Sequence, residues 1–146
     1  ALTLLDESES IAPDAPSQHG VRGLLLKQAG RLEEAQTALR QALGLAVGYG
    51  AALHALFDLA TTTELQAACL AFLRDEIERQ PDCGDALLPF RVRARAIAEP
   101  EELLGMLRGF VTARPDVWTA ACALVCELAD LGRLDEALSV ADRHVA

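Results

Sequence analysis

The chain has 146 residues, about half of them apolar, and its formal net charge is −9 at pH 7. Its only lysine is Lys27, so it lacks the basic clusters that bind a nucleic-acid backbone or an anionic membrane surface. Ala and Leu dominate over β-branched and aromatic residues, which favours helices packed on helices. We therefore expect an all-α cytoplasmic protein with no nucleic-acid and no membrane partner.

The predicted helices follow one another without a linker. Residues 1–12 resemble the second helix of an interrupted pair, and Pro13 ends it. The next pair is predicted at 16–29 and 32–46. Gly30 between them suits a helix C-terminal glycine in the left-handed conformation.

The later helices have recognisable starts and stops. Thr63 is predicted to cap a helix that ends before Pro81, and Pro89 must lie in the first turn of the helix after it. Gly132 breaks the last pair as Gly30 breaks the earlier one. Clustered acids at helix starts are expected to be solvated groups that favour the helix dipole. The predicted later helices span 51–60, 63–80, 85–98, 100–114, 117–131 and 134–146, which gives about nine in all.

A 34-residue period runs through the chain. The turn sequence at 30–35 returns at 132–137, and the two copies lie 102 residues apart, three times 34. Pro81 and Pro115 lie 34 apart, and Val47 stands one period before Pro81. A fixed period of this length predicts a stacked array of helix pairs.

The chain resembles a tetratricopeptide repeat (TPR) protein, most clearly at Gly23, Leu26, Gly30, Leu32, Ala35, Leu39 and Ala42. The resemblance implies a right-handed superhelix of antiparallel helix pairs. It also implies one domain over 1–146, in which 1–15 belong to a truncated repeat. The full units are expected at 16–49, 50–83, 84–117 and 118–146. Because both ends cut through the pattern, we expect a fragment of a longer protein.

The middle of the chain departs from the family pattern. Phe57, Arg91 and Val125 occupy the position at which Gly23 is small. A small residue lets two helix backbones approach closely, so the central pairs must pack at altered distances. The central repeats are therefore expected to be degenerate.

The resemblance further implies a concave groove lined by one face of each first helix, where a peptide or a partner helix binds. Gly20 is expected on this face. A clamp for a terminal carboxylate is not expected, because the chain has no Asn and only Lys27 and Arg95 offer a positive charge there. The residues expected to bind the partner are Leu24, Lys27, Gln28, His54, Asp58, Leu88, Val92, Arg95, Cys122 and Cys126.

Two cysteines and three histidines are the candidates for chemistry. Cys122 and Cys126 share a helix face, as a redox pair or half of a zinc site would, or as small apolar filler of a helical layer. Zinc takes four ligands, and nothing nearby in sequence supplies the others. His19, His54 and His144 belong to no ligand motif and are expected to be packing histidines. We therefore expect no metal, no cofactor and no catalytic residue.

Three functions compete. The first is a non-enzymatic module that binds a peptide or partner helix in its groove. The second is an accessory array that recruits substrate to a catalytic domain outside this sequence. The third is an enzyme or metal protein built on Cys122, Cys126 and a histidine. The negative charge would steer basic partners toward the chain, although solubility alone also explains it.

The ends of the array suggest self-association. Half a repeat leaves an apolar helix face uncovered unless the stack continues or is capped. Second-helix arginines, by contrast, are expected to face outward: Arg40, Arg74 and Arg108. The apolar side chains expected at the uncovered ends are Leu2, Leu5 and Ile11 at one terminus and Leu138 and Val145 at the other.

Overall fold

The computed structural model describes residues 15–145, which form eight helices joined by short connections. No strand occurs within this range, and the expected all-α fold is confirmed. The helix predicted at 1–12 lies outside the described residues. The helices are α1 (Pro16–Gln28), α2 (Leu32–Leu45), α3 (Gly50–Leu59), α4 (Thr63–Arg79), α5 (Leu87–Ala94), α6 (Pro100–Ala113), α7 (Trp118–Asp130) and α8 (Leu134–Val145).

The helices group into two compact units that divide after Ala86. In the first unit α2 packs against α1, α3 and α4, and α1 also contacts α3. In the second unit α7 packs against α5, α6 and α8. Contact between successive first helices, α1 with α3 and α5 with α7, is the packing that a helix-pair repeat requires.

The two copies of the turn sequence have the same geometry. Gly30 and Gly132 have φ of 76° and 75°, the left-handed conformation predicted for them. The next residue, Arg31 or Arg133, donates its amide to the carbonyl five residues earlier at 2.9 and 2.8 Å. Each of these arginines also binds the glutamate three residues on. The hydrogen bond and the charge of Arg133 hold the pKa of Glu136 below its usual value.

Small residues bring α1 and α2 together in the first unit. Gly23 is buried, and a Cβ built on it would lie 2.7 Å from the side chain of Leu39. In the second unit an aromatic pair joins α5 to α6. Phe90 of α5 and Phe110 of α6 meet edge to face, with ring centroids 5.5 Å apart.

Two predicted helix boundaries are wrong. The fourth helix is capped by Thr62 rather than Thr63, since the Thr62 hydroxyl accepts the Leu65 amide at 3.2 Å. The fifth helix spans only Leu87–Ala94 instead of 85–98. Pro89 must lie in the first turn, so the helix begins no more than two residues before it. Beyond Ala94 the chain forms hydrogen bonds to the third residue back, such as Ile97 N to Ala94 O at 3.0 Å, which are typical of a 3₁₀ turn.

A buried glutamine explains why the proline period is broken at Val47. The Val47 amide donates to Gln80 Oε1 at 2.8 Å, and Gln80 Nε2 donates to the Leu43 carbonyl at 2.6 Å. Gln80 is buried at the end of α4, so it needs both partners. A proline at 47 could not donate, because proline has no N–H.

Candidate functional site

The first unit presents five of the predicted binding residues on α1 and α3. Leu24 and Lys27 are half-buried, whereas Gln28, His54 and Asp58 are exposed. All five can therefore be reached from solvent. The expectation that His54 is a packing histidine is wrong, because its side chain is exposed.

An ion pair joins α1 to α3 on this surface. The ammonium of Lys27 donates to the carboxylate of Asp58 at 2.9 Å, and both side chains are partly exposed. Exposed pairs of this kind contribute roughly 0–1 kcal/mol. A ligand can therefore replace one partner at a small energetic cost.

Gly20 does not lie on the accessible surface, contrary to the sequence-based expectation. It is buried, and a Cβ built on it would lie 1.9 Å from Cε1 of Tyr49. The Tyr49 ring thus covers the start of α1 on this side.

The expectation that Arg40 faces outward also fails. Arg40 is half-buried, with its guanidinium 5.2 Å from the centroid of the Phe72 ring.

In the second unit, α5 presents apolar side chains to solvent. Leu88 and Val92 lie four residues apart on one face and are 38% and 57% exposed. Arg95 follows on the same side, one residue beyond the end of the helix, and its side chain is also exposed. This is a mixed apolar and cationic surface.

Next to it lies an ion-pair network that the sequence did not indicate. Arg91 binds Glu127 through Nε at 2.9 Å and also contacts Asp130. Arg95 binds Asp130 at 2.7 Å and approaches Glu127 at 3.5 Å. Glu127 is 1% exposed, so these cations neutralise a buried carboxylate. The sequence contains one signal for this network. Glu127 is an acid that interrupts the apolar spacing of Ala120, Ala123 and Leu128 along α7.

Cys122 and Cys126 lie on α7 beside a pocket of about 300 Å³ that Trp118 and His144 also line. Cys122 is half-buried and Cys126 is exposed, so the expected role of buried apolar filler is wrong for Cys126. His144 is likewise exposed rather than packed. Burial raises the pKa of the Cys122 thiol, and the neighbouring Cys126 raises it further.

Metal centres and membrane-spanning helices are two further classes of site, and neither is present within the described range. Between residues 15 and 145, no three His, Cys, Asp or Glu side chains come together as metal ligands. None of the eight helices combines the length and the apolar character that crossing a membrane requires.

No protein-family model and no curated protein sequence matches the chain. A solved structure, that of YrrB, a TPR protein with an unusual peptide-binding site, is similar at 19% identity with a TM-score of 0.48. The match covers 93% of this chain and 70% of YrrB. The chain is thus similar to a tetratricopeptide repeat protein.

Proposed function

We propose that this chain is a non-enzymatic interaction module that binds a peptide or a partner helix. Each unit would bind through the accessible side of its own first helices, α1 and α3 in the first unit and α5 and α7 in the second. The observation that carries the proposal is the exposure of Leu88 and Val92 side by side on α5. Adjacent exposed apolar side chains with a charged border are typical of a recognition surface.

The charges on this surface suit a ligand that is held in one orientation. Each unit carries one partly exposed ion pair: Lys27 with Asp58 in the first unit, and Arg95 with Asp130 in the second. Their carboxylates and cations can exchange partners with polar groups of a peptide, while apolar side chains supply affinity. The same surface would serve whether the chain acts alone or recruits substrate within a longer protein.

We also propose a cytoplasmic location. Cys122 and Cys126 are free thiols in the structure, and a reducing compartment maintains that state.

The test is selection of peptides from a random displayed library, followed by affinity measurements on two matched variants. Leu88→Glu with Val92→Glu places charges on the proposed surface. Leu32→Glu with Leu45→Glu places them on exposed leucines of a second helix, α2. Charge in an apolar contact must be desolvated, so we expect the first variant to lose about tenfold or more in affinity.

The control should bind within about twofold of the parent chain, as exposed sites outside a contact do. Equal losses in the two variants, or a loss in the α2 control alone, would locate binding elsewhere and contradict the proposal. Circular dichroism and thermal unfolding of both variants establish that they retain the fold.

A further inference from the structure

A further set of exposed apolar side chains lies on α7 and α8 rather than on α5. The three most exposed large apolar side chains of the described residues lie here: Trp118 at 70%, Leu138 at 62% and Leu134 at 59%. Contiguous exposed apolar groups on a domain usually mark a contact surface. None of these three belongs to the binding residues predicted from the sequence.

The surface contains a recess as well as exposed side chains. The 300 Å³ pocket is lined by Trp118, Cys122, Val125 and Cys126 of α7 and by Ala141 and His144 of α8. Its volume is about twice the ~150 Å³ that holds a benzene-sized group. On α7 these residues run from Trp118 to Cys126, which is eight steps of 1.5 Å, or roughly 12 Å. The recess can therefore receive large apolar side chains from about two turns of another helix.

The charges beside this surface are negative. Leu134, Leu138 and Ala141 form one stripe along α8, at spacings of four and three. Asp135 and Asp142 are seven residues apart, about two turns, so they share one edge of that stripe, and both are exposed.

The arginine within the same helix does not offset these acids. Arg143 lies on the opposite side of α8 and donates to the Ser139 carbonyl at 3.2 Å. The whole chain carries a net charge of −9, which acts in the same direction. A second copy would bring acids against acids, whereas a basic partner would find a complementary border.

We propose that the α7–α8 face binds an amphipathic helix of another protein, whose apolar stripe is flanked by Lys or Arg. Apolar side chains of that helix enter the pocket between Trp118 and Ala141. Its basic residues lie against Asp135 and Asp142. This site shares Cys122 and Cys126 of α7 with the proposed peptide surface. It extends onto α8 and does not use Leu88 or Val92 of α5, so it does not depend on them.

Trp118 is the only tryptophan of the chain, so tryptophan fluorescence reports peptide binding at this surface. The probe is a synthetic amphipathic peptide of about 18 residues, or five turns, with a Leu stripe flanked by Lys. Titration should shift the Trp118 emission to shorter wavelength as the indole leaves water. Bound peptide should also slow alkylation of the exposed Cys126 thiol.

A second peptide with Glu in place of Lys isolates the role of charge. We expect the Lys peptide to bind about tenfold more tightly at low ionic strength, and the difference to shrink as salt is added. Equal affinities of the two peptides would overturn the proposal.

Variants of the chain localise the effect. Leu138→Glu should weaken binding of the Lys peptide about tenfold, because it places a charge in the apolar contact. Asp135→Lys with Asp142→Lys should reverse the preference toward the Glu peptide. The matched control, Glu64→Lys with Glu78→Lys, changes two exposed acids of α4 and alters the net charge equally. It should leave the preference intact.

Three further outcomes contradict the proposal. Loss of preference in the α4 control would indicate general electrostatic attraction. A dimer in sedimentation that Leu138→Glu dissociates, with no peptide effect, would make a second copy the occupant. An unchanged Trp118 emission at saturating peptide would locate binding elsewhere. Leu88→Glu with Val92→Glu should leave binding of the Lys peptide unchanged, so failure of this proposal is distinguishable from failure of the first-helix surface.

Discussion

Arg91 donates through Nε to Oε2 of Glu127 at 2.9 Å, and this contact joins α5 to α7 in the second unit. The Glu127 side chain is 1% exposed, whereas that of Arg91 is 11% exposed. A carboxylate so far from water requires its cation, because an unpaired buried charge is strongly unfavourable. The pair therefore makes each helix depend on the other.

Removal of the arginine alone should destabilise the chain. Arg91→Met leaves Glu127 with Arg95 at 3.5 Å as its remaining cation. Breaking a buried pair from one side costs about 3–5 kcal/mol, and we expect a value near the lower end because Arg95 stays. The free energy of unfolding in urea measures this.

The double variant Arg91→Met with Glu127→Met should recover most of that loss, since an apolar pair of similar volume is often neutral or stabilising. Arg74→Ala, at an exposed position of α4, is the control and should change stability by less than about 0.5 kcal/mol. Additive losses from the two Met substitutions would show that the residues do not act as a pair.

Val47→Pro should destabilise the chain although proline restores the 34-residue period. The substitution removes the amide that binds Gln80 Oε1 at 2.8 Å and leaves a buried oxygen without that donor. Such a loss costs about 1–3 kcal/mol. Thermal or urea unfolding gives the change, and a cycle with Gln80→Leu isolates the hydrogen bond. In the Gln80→Leu background the proline should cost much less; an equal cost would assign the effect to ring sterics instead.

The turn glycines and the backbone signals of the helices could be predicted from the sequence. Gly30 and Gly132 have the left-handed φ that their place after a helix requires. Glu33, Glu34 and Asp135 lie in first turns, as the helix dipole favours. These features depend on neighbours within a few residues, and the local sequence contains that information.

The contacts that shape the candidate surfaces could not be predicted in this way. Arg91 and Glu127 lie 36 residues apart and Val47 and Gln80 lie 33 apart, close to one period but not on it. Which side chains meet depends on conformers and on small offsets between helices. The 34-residue period also does not indicate how exposed each side chain is. The repeat position of Cys126 gives its helix face, but only packing shows that nothing described covers it.

Substitution of Gly30 should destabilise the chain through backbone conformation alone. Its φ is 76°, and a Cβ there would meet no atom within 4 Å, so sterics from neighbours do not contribute. Gly30→Ala should cost about 1–2 kcal/mol, and Gly30→Val about 1–3 kcal/mol. Gly30→Asn should cost least, because Asn adopts this conformation more readily.

Gly109 is the matched control for that series. It lies within α6, is exposed, and also has no atom within 4 Å of a built Cβ. Gly109→Ala should therefore stabilise the chain by roughly 0.5–1 kcal/mol, since Ala is a better helix former. Thermal unfolding of all four variants distinguishes the two cases. A stabilising Gly30→Ala would mean that the turn relaxes to another conformation.

Alkylation of the two α7 thiols should follow different pH profiles. Burial raises the pKa of Cys122, and the nearby Cys126 raises it further. A raised thiol pKa lowers the thiolate fraction at any pH below it, and the thiolate is the reacting form. Iodoacetamide should therefore modify Cys122 more slowly than Cys126 at pH 8, and its rate should rise to a higher pH before it levels off. Mass spectrometry of the separated peptides gives each rate.

Cys126→Ser separates the two causes of the raised pKa. It removes the neighbouring thiolate but leaves Cys122 half-buried, so the midpoint of the Cys122 profile should move to lower pH without reaching the value of an exposed thiol. Restricted access alone would lower the Cys122 rate by the same factor at every pH. A midpoint unchanged by Cys126→Ser would show that the two thiols do not interact across the turn of α7.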